Sequence, residues 1–195
     1  VIEIAEILER KNLILKERFI LLAIGQDSDF KVSEGSFEFP ENLEGYLFPN
    51  TYIVEPGITE EEIIIMMVKT FVRDVFPEWF REGISDDIKS LGLHGIITLA
   101  SIIEKEAKLP KEQYLISSVF HNRLALKMPL QSCATVQYAL GSWKARLTLD
   151  DLQVNSPYNT YIISGLPPGP IGSTGLSSIR AAITPEISDY LFFTS

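Results

Sequence analysis

Residues 99–106 read LASIIEKE, an apolar helical run that carries two carboxylates. A charged carboxylate is costly to take out of water. An acid in apolar surroundings is favoured in its protonated form, and such acids gather at functional sites. Gly92 and Gly95 bracket the start of this helix and Pro110 closes it, so it is expected over about 94–107. Steps of about 100° per residue from Ile96 put Leu99, Ala100, Ile103 and Ala107 on one arc. Thr98, Ser101, Lys105 and Lys108 fall on the opposite, wet side. Glu104 lies at about 80° and Glu106 at about 280°, one on each flank of the apolar arc. The two therefore cannot form one catalytic pair, and periodicity leaves open which of them faces a cleft. It also leaves open a plain solvated role, because Glu104 and Lys108 have the spacing of a favourable i,i+4 ion pair.

At 195 residues the chain can bury a full core in one domain, with at most a small appendage. Its formal net charge is −9, from 17 basic and 26 acidic residues. That balance argues against broad binding to nucleic acid or anionic lipid and suits a neutral substrate such as a glycan. Cys133 is the only cysteine, so there is no internal disulfide and the compartment stays open. No apolar run approaches 18 residues and no signal-peptide pattern is present. Both ends have the look of internal positions, so a membrane anchor upstream of Val1 is an expectation.

Elsewhere the pattern predicts an α+β chain. Two short helices are expected in residues 1–24, with Ile4, Ile7 and Leu8 on one stripe and Phe19, Leu22 and Ala23 on another. A connector or short strands follow from Gln26 to Asn42, then a strand over Tyr52–Val54 stopped by Pro56-Gly57. Thr59 and Glu62 have capping-box spacing and start a helix over about 60–75. Further helical pieces are expected at 85–90, 111–126, 135–140 and 177–183, one turn at Thr148, and a last strand over Tyr190–Phe193.

Residues 157–172, PYNTYIISGLPPGPIG, are a second strong feature. Four prolines and four glycines in 153–175 forbid long regular structure there. Long irregular loops in compact domains tend to be functional. Proline fixes the backbone in advance, so little order is lost on binding. Tyr158, Asn159 and Tyr161 offer rings and an amide, groups suited to sugar faces and N-acetyl groups. A structural turn packed on the core is the plainer alternative. His94 and His121 have no partners at metal-ligand spacing, and no phosphate-binding loop occurs. Ser101 and Ser132 lack a nucleophile signature, and nothing marks either histidine as a base for Cys133. No metal and no cofactor is expected.

LEGYLFPNTY (43–52), LASIIEKEA (99–107), VFHNRL (119–124), MPLQSCATVQYALG (128–141) and YNTYIISGLPPGPIG (158–172) together resemble one family, in its order. It is the endolytic murein transglycosylases, the MltG or YceG-like family of bacteria. The resemblance spans about residues 43–193. Residues 1–40 also resemble part of a LysM-like helical subdomain with its connector, ahead of a catalytic domain over 41–195 with a lysozyme-like helical core.

The resemblance implies cleavage of the β-1,4 bond between N-acetylmuramic acid and N-acetylglucosamine within glycan strands, leaving 1,6-anhydro ends. It implies Glu104, the first acid of EKE, as the catalytic residue and leaves Glu106 as a structural hydrogen-bond partner. Glu104 first donates a proton to the leaving oxygen and then accepts one from the C6 hydroxyl. Gln131, Tyr158, Asn159 and Tyr161 are the candidate substrate contacts, and Asn122 and Arg123 the braces. Peptidoglycan is the implied partner, with cell-wall synthases beside it, on the extracytoplasmic face of the inner membrane. Two departures stand out: Cys133-Ala134 replaces the family's usual Asp-Pro, and Asn50 replaces its usual Asp. A hydrolytic muramidase, or a catalytically weak glycan-binding scaffold, are the alternatives.

Overall fold

Helix α5 (Gly92–Glu106) organises the molecule. It packs against α8 (Leu176–Ile183), α6 (Gln113–Ala125), α7 (Cys133–Leu140) and the short α4 (Asp86–Ser90). Leu93, Ile96, Ile97, Leu99, Ala100, Ile102 and Ile103 are buried around its whole circumference. Thr98 and Ser101, expected on a wet side, are buried as well. Over Ile96–Ile103 the helix is covered all round, while His94 and Lys105 nearer its ends are exposed. Each hydroxyl is instead satisfied locally. Thr98 donates to the His94 carbonyl at 2.8 Å, and Ser101 to the Thr98 carbonyl at 2.7 Å.

The structure is a computed structural model that describes all residues of 1–195 except Ser28, Ser36, Thr194 and Ser195. Ahead of α5 come α1 (Ile2–Arg10), α2 (Lys16–Ala23) and the long α3 (Glu60–Trp79). The Thr59 capping box forms as expected: its hydroxyl accepts from the Glu62 N–H at 3.2 Å, and the Glu62 carboxylate accepts from the Thr59 N–H at 2.9 Å. The helix runs past its expected end and through Pro77. Ring contacts from Phe76 to Phe37, Phe71 and Phe80 hold this last turn. A two-stranded antiparallel ladder, β1 (Ser33–Glu34) and β2 (Phe37–Glu38), pairs Ser33 with Glu38 and Glu34 with Phe37. The fold is thus mostly helical with a small sheet, within the α+β class. One continuous apolar cluster extends from Ala5 and Phe19 through Phe71 and α5 to Ile183. No helix among the described residues is long and apolar enough to cross a membrane.

Two expected strands are absent. Tyr52–Val54 is irregular and forms no ladder with any of the described residues, and Ile53 is 94 % exposed. Tyr190–Phe193 is also irregular. Its carbonyls are taken by side chains of α6 in place of a ladder. Asn122 donates to the Ser188 and Tyr190 carbonyls at 2.8 and 2.9 Å, and Arg123 to that of Leu191 at 2.6 Å. The short helices fall close to their expected places, including α7, which ends on Gly141 at φ +65°.

Candidate active site

The last turn of α5 projects Glu104 and Glu106 toward different helices. Glu104 is partly buried and meets the start of α8. Its Oε2 accepts a short hydrogen bond from the Ser178 hydroxyl and a 3.3 Å bond from the Gly175 N–H. Oε1 has no hydrogen-bond partner among the described residues. The sole fully buried unpaired side-chain oxygen among them is Thr174 Oγ1, so Glu104 Oε1 keeps contact with solvent. The carboxyl is therefore held by one oxygen and free at the other. Its flank is not purely apolar, as periodicity suggested, but presents a hydroxyl and a helix N-terminus. The Glu104–Lys108 ion pair is also absent. The helix ends at Ala107, whose ψ of 125° turns Lys108 off the i,i+4 position.

Glu106 serves α7. Its Oε1 accepts from the Ser132 hydroxyl at 2.5 Å and from the Ala134 N–H at 3.3 Å. Ser132 occupies the N-cap position but makes no side-chain cap of its own. A carboxylate from α5 thus does the capping that a local side chain commonly does. This is the hydrogen-bonded role expected for Glu106. Cys133 and Ala134, the departures from the family pattern, are the first residues of α7. Cys133 Sγ lies 3.2 Å from the Tyr161 hydroxyl.

Gln131 and Tyr161 gather on this Glu106 side. Gln131 is exposed and has a left-handed backbone, φ +52°, which is strained for a residue with a Cβ. Its N–H donates to the Thr160 carbonyl at 2.9 Å, and the Ser132 N–H to the Thr160 hydroxyl at 3.0 Å. Arg123 donates to the Leu130 carbonyl at 2.8 Å and reaches the Gln131 amide oxygen at 3.5 Å. Burial and then the Cys133 thiol push the Tyr161 phenol far above its ordinary range, so it stays a neutral hydroxyl. Tyr158 packs on Tyr138 with ring centroids 4.7 Å apart, and burial raises both phenols.

Asn159 differs from the contact expected of it. It is fully buried, donates to the Leu152 and Val154 carbonyls at 3.0 and 2.9 Å, and accepts from the Tyr161 N–H at 3.0 Å. With its amide so committed, Asn159 shapes the loop and offers nothing to a ligand. Glu104 makes no hydrogen bond to Gln131, Tyr158, Asn159 or Tyr161 among the described residues. Glu106, not Glu104, bonds to the Ser132–Ala134 segment that follows Gln131.

The rigid loop is fastened to the core along 168–171. His94 Nε2–H donates to the Pro168 carbonyl at 2.9 Å, and its Nδ1 lies 2.8 Å from the hydroxyl of the buried Tyr46. With Nε2–H donating to a carbonyl, Nδ1 is left to accept the hydrogen bond of the Tyr46 hydroxyl. The Ile171 N–H donates to Ser101 at 2.9 Å. Gly45, at φ +85°, lies under Pro170, where an added Cβ would come within 2.5 Å of the proline ring. Sequence reasoning missed Ser178 and Gly175 as partners of Glu104. The one available signal was a serine three residues beyond a glycine at the start of the last helix.

The YceG-like family model matches residues 1–195. An endolytic murein transglycosylase of Bacillus subtilis (strain 168) is 44 % identical over 152 residues, which cover 77 % of this chain and 41 % of that protein. One from Streptococcus pneumoniae serotype 2 (strain D39) is 36 % identical over 158 residues, covering 78 % of this chain and 28 % of that protein. The chain thus spans less than half the length of either relative. The crystal structure of a yceG-like protein from Listeria monocytogenes superposes with a TM-score of 0.79 at 39 % identity, covering 99 % of this chain and 66 % of that one.

Proposed function

Because the chain belongs to the YceG-like family, we propose that it cleaves peptidoglycan as an endolytic lytic transglycosylase with Glu104 as its acid and base. The observation that carries this reading is the half-tethered Glu104 carboxyl, anchored through Oε2 and open at Oε1. In the proposed reaction Glu104 gives its proton to the glycosidic oxygen as the bond from C1 of N-acetylmuramic acid to that oxygen breaks. The C6 hydroxyl of the same sugar then bonds to C1, and its proton returns to Glu104. No water is consumed, and the product is a 1,6-anhydro end. One titrating side chain is enough, unlike the pair that a glycosidase with water as acceptor commonly employs. Gln131 and Tyr161 would meet a strand running across the end of α5, and Tyr158 would line the loop side.

The same reading takes residues 41–195 as a catalytic domain with a lysozyme-like core and residues 1–40 as part of a LysM-like subdomain. It places the protein at the cell envelope, on the outer side of the inner membrane, with synthases of the wall as its neighbours. Glu104→Gln keeps the shape and removes the exchangeable proton. Its turnover of glycan strands should vanish while its thermal unfolding and glycan binding stay as in the unaltered protein. Undiminished turnover in this variant would overturn the reading.

One observation favours a second reading. Gln131, Tyr161 and the strained backbone lie around Glu106, whose Oε2 accepts no hydrogen bond among the described residues. In that reading Glu106 is the acid. The two readings part cleanly: Glu106→Gln retains turnover under the first and loses it under the second, with Glu104→Gln behaving in the opposite way.

A further inference from the structure

The start of α8 offers Glu104 two donors of different kinds. The Gly175 N–H belongs to the backbone and is set by the helix. The Ser178 hydroxyl is a side-chain choice, and it comes from a residue with 0 % exposure, 74 positions further along the chain. Its direction is informative. A serine that served its own helix would stand at the N-cap, and that position is held by Gly175, which has no side chain. Ser178 sits inside the first turn and turns its proton outward to Oε2.

From this geometry we infer that Ser178 is a positioning residue for the glycan-cleaving carboxyl. The inference rests on Glu104 being the acid and base. A carboxyl held by neither oxygen rotates about its last bond and presents each oxygen in turn. With Oε2 fixed by Ser178 and Gly175, Oε1 keeps one direction and is the oxygen that exchanges the proton with the sugar. The contact also changes strength during the step. Hydrogen bonds to a carboxylate are stronger than those to a neutral acid, so the Ser178 bond tightens as the proton leaves for the glycosidic oxygen. An interaction that strengthens toward the transition state accelerates the step, whereas one that is equal throughout only tightens binding. The plainer alternative is that Glu104 merely caps α8, in which case Ser178 matters to stability alone.

The test compares Ser178→Ala, Ser178→Thr, Ser177→Ala and Glu104→Gln in the full chain, on soluble uncrosslinked glycan strands, with kcat and KM measured separately and thermal unfolding recorded for each. Ser177 is the control, because its hydroxyl donates to Gln113 at 2.5 Å and not to Glu104. Ser178→Ala is expected to lose about 10–100-fold in kcat, the cost of a misplaced reacting group. Its KM should stay within about twofold, the signature of a group that acts after binding. Ser178→Thr keeps the hydroxyl and should regain most of the lost kcat, and Ser177→Ala should match the unaltered protein. Unchanged kcat in Ser178→Ala beside an inactive Glu104→Gln would overturn the positioning role and leave the site reading standing. A raised KM with unchanged kcat, or a Ser178→Thr as slow as Ser178→Ala, would overturn it too. Full turnover in Glu104→Gln would remove the site reading and this inference together.

Discussion

Arg123 is a buried guanidinium with no carboxylate within ion-pair reach among the described residues. Backbone carbonyls of Leu130 and Leu191 take its protons, and the Phe192 ring lies 4.8 Å from its carbon. Arg123→Met would leave those carbonyls unpaired, and a loss of about 3 kcal/mol in urea unfolding is the expected outcome. His121 makes a different case. Burial holds its pKa below that of a free imidazole, although its Nε2–H donates to the Ala182 carbonyl at 2.9 Å. The unfolded chain then takes up a proton, near pH about 6.5, that the folded ring refuses. Stability should therefore fall as pH drops below about 6.5, and level off below the folded value. His121→Gln should flatten this part of the stability profile, read from unfolding midpoints at a series of pH values. The place of Glu104 in the last turn of α5 was legible from the breakers that bound that helix. Ser178 was not, because its contact with Glu104 joins residues 74 apart, and no local period encodes that.

Among the elements, helices were legible wherever a cap or a breaker marked them. Thr59 and Glu62 announced α3, and Gly141 ended α7. Thr59→Ala is expected to cost about 1 kcal/mol, measured as a shift in unfolding midpoint. Of the strands, the short pair falls within the Gln26–Asn42 stretch where short strands were expected, but Tyr52–Val54 and Tyr190–Phe193 form none, for a physical reason: alternation and β-branched residues describe a segment, not the neighbour it pairs with. At Tyr190–Phe193 that neighbour is the side-chain face of α6, through Asn122 and Arg123. The helical wheel of α5 failed at Thr98 and Ser101 in a related way. It sorts polar from apolar residues, but cannot say that a hydroxyl will be satisfied by its own helix and packed over by a loop.

Across the whole molecule, the irregular loop 157–172 is tied to the core at its 168–171 end. Tyr46 and His94 hold Pro168, Ser101 holds Ile171, and Gly45 makes room for Pro170. These ties join the segment around residues 43–52 to the loop through α5, so the separate stretches of the family pattern form one structural unit. Gly45→Ala would strain a backbone at φ +85° and push a Cβ into Pro170. It should lower the unfolding midpoint and reduce glycan turnover together, while leaving the Thr59 cap intact. The central claim is that one acid at the end of α5 cuts glycan without water. It is tested most directly by digesting purified sacculi and weighing the muramic acid ends released. The account predicts ends one water lighter than hydrolytic ones from the unaltered protein and no new ends from Glu104→Gln. Full-mass reducing ends, or light ends persisting in Glu104→Gln, would contradict it.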